Sequence, residues 1–392
     1  MTIGPKARRH TLELAVIILC LGGEVTEGEQ AFLRRVLAGS LDWDYIIAKS
    51  LQERVTTTMY TSLIAFGHGG SIPPSALKSL EFGNQLNRAR NHWIFEDTSR
   101  FVAALDREGI RSVLLKGVAL ANYVYNGPDM RIMTDADVLV EKEAANDARE
   151  ILLELDYRPV EHDPPPNHHL VPFLTPNNVL IEVHWDLVPH PHPFKLGHPS
   201  FWPRTQNVDF AGTPSEILAA EDFLCHVIVH GSFQHAFRPA LRLAADVTAL
   251  LHKFGRDLSA EGIRKRAKEL SVWPYVAAVL YLVASLAGKS ILGCSPEHPP
   301  KELIRMLKHG PAVNGDWHVL KAIRSKVLPA LDFSPYTGYE RDYLDDLFST
   351  GQAVRNEMMK SGRLDTESDQ PAERAEPFSV ACEAAHTGRD QV

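Results

Sequence analysis

Three short apolar runs in the middle of the chain restrict its fold more than any other feature: "SVLL" at 112–115, "DVLV" at 137–140 and "VLIEV" at 179–183. Each has the length of a strand and is too short for a buried helix. Between the first two, "VALANYVY" fits a short helix and "NGPDM" is turn chemistry. Between the second and third, "KEAANDAREILLELDY" sets Ala145, Ala148, Ile151, Leu152 and Leu155 on one helical stripe. The proline-rich "HDPPPNHH" that follows reads as a loop. Strand, helix, strand, helix, strand predicts a compact α/β unit.

Both flanks are helical in pattern. Thr26 caps a helix with Glu27 and Glu29 in its first turn. "DWDYIIAKSLQERVTTTMYTSLIAFG" carries apolar residues at helical spacing as far as Gly67, and a long helix is expected from about Ala76 to Arg107. At Thr213, "TPSE" has the form of a capping box: Thr213 as N-cap, Pro214 first in the helix and Glu216 closing the box. Helices are expected over 214–230, 238–253, 260–287, 301–308 and 316–328. The polar segment beyond 356 is expected to be disordered. The domains read as a helical region at 1–73, an α/β core at 74–212, a second helical region at 213–355 and a tail at 356–392.

The net charge of −8 disfavours general affinity for a nucleic-acid backbone. Cys20, Cys225, Cys294 and Cys382 are scattered without a CxxC pair, which suits a reducing compartment. "KARRH" followed by "TLELAVIILCLGG" superficially resembles a secretory signal, but Glu13 interrupts the apolar run. The run is also about half the ~20 residues a membrane span needs. A buried first helix, a cytoplasmic location and no membrane span are the expectation.

The chemistry concentrates in "RIMTDADVLV". On a strand Asp135 and Asp137 share one face while Ala136 and Val138 point into a core. Two such carboxylates repel unless a cation lies between them. An all-oxygen site of this kind favours Mg²⁺ or Mn²⁺, which also bind substrate phosphates. A third ligand is expected from "IEVHWDL", where Glu182, His184 and Asp186 alternate with apolar residues. Glu182 lies deepest in the apolar part of that strand. His184 is next, as a nearby ligand or as a base for an acceptor hydroxyl. Upstream, Lys116-Gly117 ends a strand and opens a helix, where backbone N–H groups and an ammonium can meet a phosphate. Arg131 can reach the same phosphates with its guanidinium fork.

Taken in order, LKG, R-x-x-x-D-x-D-x-L-V and E-x-H-W resemble the uncharacterised nucleotidyltransferase family of the polymerase-β-like superfamily. The resemblance extends over roughly residues 10–255. It implies an α+β fold: a small mixed sheet packed with helices and flanked by N- and C-terminal helical regions. It implies Mg²⁺-dependent transfer of a nucleoside monophosphate from a nucleoside triphosphate, with pyrophosphate release. Asp135, Asp137 and Glu182 become the catalytic metal ligands, and Lys116, Gly117 and Arg131 the phosphate grip. The family's small hydroxyl residue after the glycine is replaced by Val118, so the grip cannot use that side chain. The alternative is a catalytically degenerate member that serves as a binding scaffold. A small molecule, peptide or protein acceptor is favoured over nucleic acid.

The chain holds eighteen histidines, many of them between residues 162 and 198. His168, His169, His190, His192 and His198 lack regular ligand spacing and read as a loop beside the site. "HVIVH" at 226–230 has zinc-ligand spacing but Val227 where zinc proteases carry glutamate, so a packing pair is expected. Arg238, Arg242 and Asp246 fall on one helical stripe, as an intrahelical ion pair or with Arg242 turned to the cleft.

Overall fold

The computed structural model describes residues 10–295, apart from 22–24, 126, 128, 162–165, 197, 236, 256 and 288–290. The helices expected over 301–308 and 316–328, and the tail, lie outside the described residues.

The N-terminal helices are α1 (Thr11–Leu19), α2 (Glu27–Leu37), α3 (Trp43–Gln52), α4 (Thr56–Ala65) and the long α5 (Pro74–Arg107). Thr26 caps α2 and Glu29 reaches back to complete a capping box. The single helix expected between Asp42 and Gly67 is two. Arg54 takes a left-handed backbone conformation, φ 55°, and breaks the chain between α3 and α4. Apolar periodicity continues across the break, so the pattern alone does not reveal it.

Next come β1 (Ser112–Leu115), α6 (Lys116–Ala119) running into a π-turn at Leu120–Val124, β2 (Asp135–Val140), α7 (Ala145–Glu154), β3 (Arg158–Pro159), β4 (Phe173–Leu174), β5 (Leu180–His184), α8 (His198–Phe201), β6 (Thr205–Phe210) and β7 (Thr213–Leu218). They form one mixed sheet in the order β3-β4-β5-β2-β1-β7-β6. β2 lies antiparallel to β1 and parallel to β5. Val113, Leu114, Ala136, Val138, Ile181 and Val183 are buried in the core.

β7 corrects the capping box read at 213–216. Ala211 and Gly212 both have positive φ, making the two-residue turn that pairs β6 with β7. Glu216 instead accepts from Arg111 Nε and Nη2, each at 2.6 Å, and so ties β7 beside β1. The expected helix starts later, as α9 (Ala220–Val229), followed by a π-turn at His230–Gln234 and α10 (Ala240–Lys253). The helix expected over 260–287 is also divided, into α11 (Ala260–Glu269) and α12 (Trp273–Ala287), by Ser271 at φ 61°. Among the described residues no helix is long and apolar enough to cross a membrane.

Candidate active site

Strand register assembles the carboxylates. Asp137 stands opposite Glu182 across the β2–β5 ladder and opposite Leu115 across β1–β2. Asp135, two residues earlier, falls on the same face. Lys116, directly after β1, adopts a left-handed φ of 42° and its Nζ donates to Asp137 Oδ1 at 2.6 Å. His184 Nε2 lies 2.9 Å from the same oxygen and 3.3 Å from Glu182 Oε2. Both neighbours are carboxylates, which accept only, so Nε2 carries the proton and donates. This arrangement makes His184 an orienting group between two acids.

The electrostatics follow. Burial alone would raise the Asp137 carboxyl, but Lys116 and His184 hold it well below its ordinary range. Glu182 is likewise lowered, burial being outweighed by its bond with His184. Burial opposes the charge of Lys116, yet Asp137 keeps its pKa raised. Asp135 is pushed up by burial and then by the charges of Asp137 and Glu182. A carboxylate in that position gains from any cation placed beside it.

A cavity of about 290 Å³ opens over this face, with Lys116, Gly117, Asp135, Asp137 and Glu182 along the sheet side. Arg54 from the α3–α4 turn, His230, His235 and Arg242 of α10 line the helical side. Arg131 also borders it, though its fork is engaged: Nε and Nη2 donate to Asp246 at 2.8 and 2.9 Å. Tyr125 donates to the same carboxylate at 3.1 Å. Nη1 of Arg131 is buried and has no hydrogen-bond partner. A Cβ on Gly117 would stand 3.0 Å from that nitrogen, so a glycine here admits the guanidinium beneath α6. With Asp246 taken by Arg131, the expected intrahelical pair does not form and Arg242 faces the cavity. Burial, and after it the nearby Arg131, lower Arg242 to about 10, so it remains cationic at neutral pH.

The histidines divide into separate groups. His168 and His169 pack on the His184 ring, with centroids 5.4 and 4.7 Å away. His226 is fully buried with neither ring nitrogen bonded, and its ring centroid is 6.4 Å from that of His230. His230 bonds instead to His235, Nε2 to Nε2, at 3.1 Å. Among the described residues two groups bring possible metal-binding atoms within 4.8 Å of one another: Asp137, Glu182 and His184, and Asp186, His190 and His192. The second group stands in the loop after β5, where no ligand spacing was legible. Arg54 and His235 are cavity residues that the sequence did not single out, and neither belongs to a motif.

The chain matches the family described as uncharacterised nucleotidyltransferase over residues 39–288. It belongs to that family. The matched span runs from just before α3 to just past α12, so the nucleotidyltransferase region includes Arg54 and Arg242 as well as the sheet. Comparison with curated proteins finds no match. Among solved structures, the solution structure of the antibiotic-resistance factor ANT(2'')-Ia is similar over 44% of this chain and 90% of its own, with 12% identity and a TM-score of 0.34. At that score the likeness carries no argument about substrate.

Proposed function

We propose that this nucleotidyltransferase-family chain moves a nucleoside monophosphate from a nucleoside triphosphate to an acceptor hydroxyl, using Mg²⁺ or Mn²⁺. The observation that carries the reading is Asp135, Asp137 and Glu182 on one sheet face beneath a cation-lined cavity. Their donor set, carboxylate oxygens only, fits a hard divalent ion. When bound, the ion would neutralise phosphate charge and lower the barrier to displacement.

The remaining roles belong to the chain. Asp137 and Glu182 are held ionised and oriented by His184. Lys116, paired with Asp137 at the start of α6, borders the cavity and adds a positive charge there. The acceptor oxygen bonds to the α-phosphorus as the bond to the bridging oxygen breaks, and that electron pair leaves with pyrophosphate. Glu182, the more exposed partner of His184, takes the acceptor proton.

Incubation with α-labelled triphosphates, Mg²⁺ and hydroxyl acceptors tests this reading. Label transfer and pyrophosphate release are expected, with a loss of at least about 10²-fold in Asp135→Ala and Asp137→Ala. Undiminished transfer by either variant refutes the assigned site. A chain that binds no triphosphate in the presence of Mg²⁺ is the non-catalytic scaffold instead.

A further inference from the structure

The cavity is bipolar. Its sheet side carries Asp135 and Glu182, the acids left after Lys116 has paired with Asp137. Its helical side carries Arg54 and Arg242, whose guanidinium groups make no hydrogen bond or salt bridge among the described residues, although Asp246 and Asp135 partly offset the charge of Arg242. Arg131, whose Nη1 is buried and unpartnered beside Gly117, also lines the cavity. Neither a bare cation nor a bare anion satisfies both walls. A divalent ion chelated by a chain of phosphates does, with its metal toward the acids and its tail toward the arginines.

The arginines are positioned by specific contacts. Glu53, next to Arg54, is 1% exposed. Its Oε2 accepts from the Leu241 backbone N–H at 3.2 Å, in the first turn of α10. One buried carboxylate thus ties the α3–α4 corner to the start of the helix that bears Arg242. Thr58 Oγ1, at the start of α4, donates to the Met130 carbonyl at 2.5 Å, next to Arg131. The crowding of Arg242 by Arg131 and Arg54 adds to its burial in lowering its pKa. An anion among the three relieves that repulsion.

We propose that Arg54 and Arg242, with Nη1 of Arg131, form a subsite for the β- and γ-phosphates, so that the cavity takes the triphosphate form of a nucleotide in preference to the monophosphate. Assigning the tail to a nucleotide rests on the nucleotidyl-transfer reading; the polyphosphate subsite itself does not. The same arginines would receive the charge that develops on departing pyrophosphate.

Calorimetry on the full chain with Mg²⁺ and inorganic tripolyphosphate, against inorganic phosphate, tests the subsite without requiring chemistry. Arg242→Gln and Arg54→Asn are the variants, asparagine being chosen because it tolerates a positive φ. Arg242→Lys tests whether charge alone suffices, and circular dichroism confirms that each variant is folded. Each neutral variant is expected to weaken tripolyphosphate roughly tenfold, as for loss of a charge-assisted hydrogen bond. Binding of inorganic phosphate should change little. Wild-type affinity in both neutral variants, or no tripolyphosphate binding by the wild type, overturns the subsite. Arginine-dependent binding with no label transfer from any triphosphate leaves the subsite standing and removes the nucleotidyl-transfer reading.

Discussion

Replacing Asp246 with alanine should destabilise the protein more than any single change in the cavity carboxylates Asp135 and Glu182. The side chains of Arg131 and Asp246 are each 7% exposed, and two hydrogen bonds of 2.8 and 2.9 Å join them. Asp246→Ala leaves a guanidinium buried without its counter-charge and removes the acceptor for Tyr125. Breaking one side of a buried pair costs about 3–5 kcal/mol. For a chain of 392 residues that corresponds to a fall in melting temperature on the order of 4–6 °C. Urea denaturation followed by circular dichroism, with a thermal scan beside it, measures the loss. The double variant Arg131→Met/Asp246→Leu should recover most of it, because no charge then remains to be desolvated. A loss below about 1 kcal/mol for Asp246→Ala would mean that water reaches the fork, and the reasoning fails.

Two further perturbations follow. His226 is fully buried, and burial, with the charge of Lys116 after it, lowers its pKa from 6.5 to about 3. The unfolded chain therefore takes up this proton first, and stability present above pH 6.5 is lost as pH falls toward 3. The share due to His226 is about 2 kcal/mol at pH 5. His226→Leu should flatten the decline of the urea midpoint between pH 7 and 5 by that amount; an unchanged slope counts against it. Gly117→Ala should lose about 1–2 kcal/mol in urea melts, because its Cβ meets Arg131 Nη1 at 3.0 Å. In an Arg131→Met background the same change should become neutral or stabilising, since alanine is the better helix former; equal losses in both backgrounds rule out the contact with Arg131.

The acidic face of the cavity was legible because its information is local. A period of two places Asp135 with Asp137 and Glu182 with His184, and the apolar runs around them make β2 and β5. The order of the segments put Lys116 nearby. What was not legible depends on partners distant in sequence. "TPSE" has every local mark of a helix start, yet Arg111 claims Glu216 across a ladder. Asp246 sits at helical spacing from Arg242 but pairs with Arg131, 115 residues away in sequence. Arg54 belongs to no motif; its value to the site comes from a turn and from the neighbouring Glu53, one of whose partners is 188 residues away. Sequence reading thus named the acids of the cavity and, among its basic residues, Lys116, Arg131 and Arg242, but not Arg54.

The link between Glu53 and Leu241 also sets an order on biosynthesis. A nascent chain that ends after β7 already holds Asp135, Asp137, Glu182 and Lys116, and the whole sheet. It lacks α10, and with it Arg242, the counter-charge for Arg131 and the backbone donor that engages Glu53. In synthesis order the acids are therefore made before the helix that covers them. The cavity closes only when residues near 241 to 246 have been made and have docked, so synthesis itself postpones the assembly of a complete site.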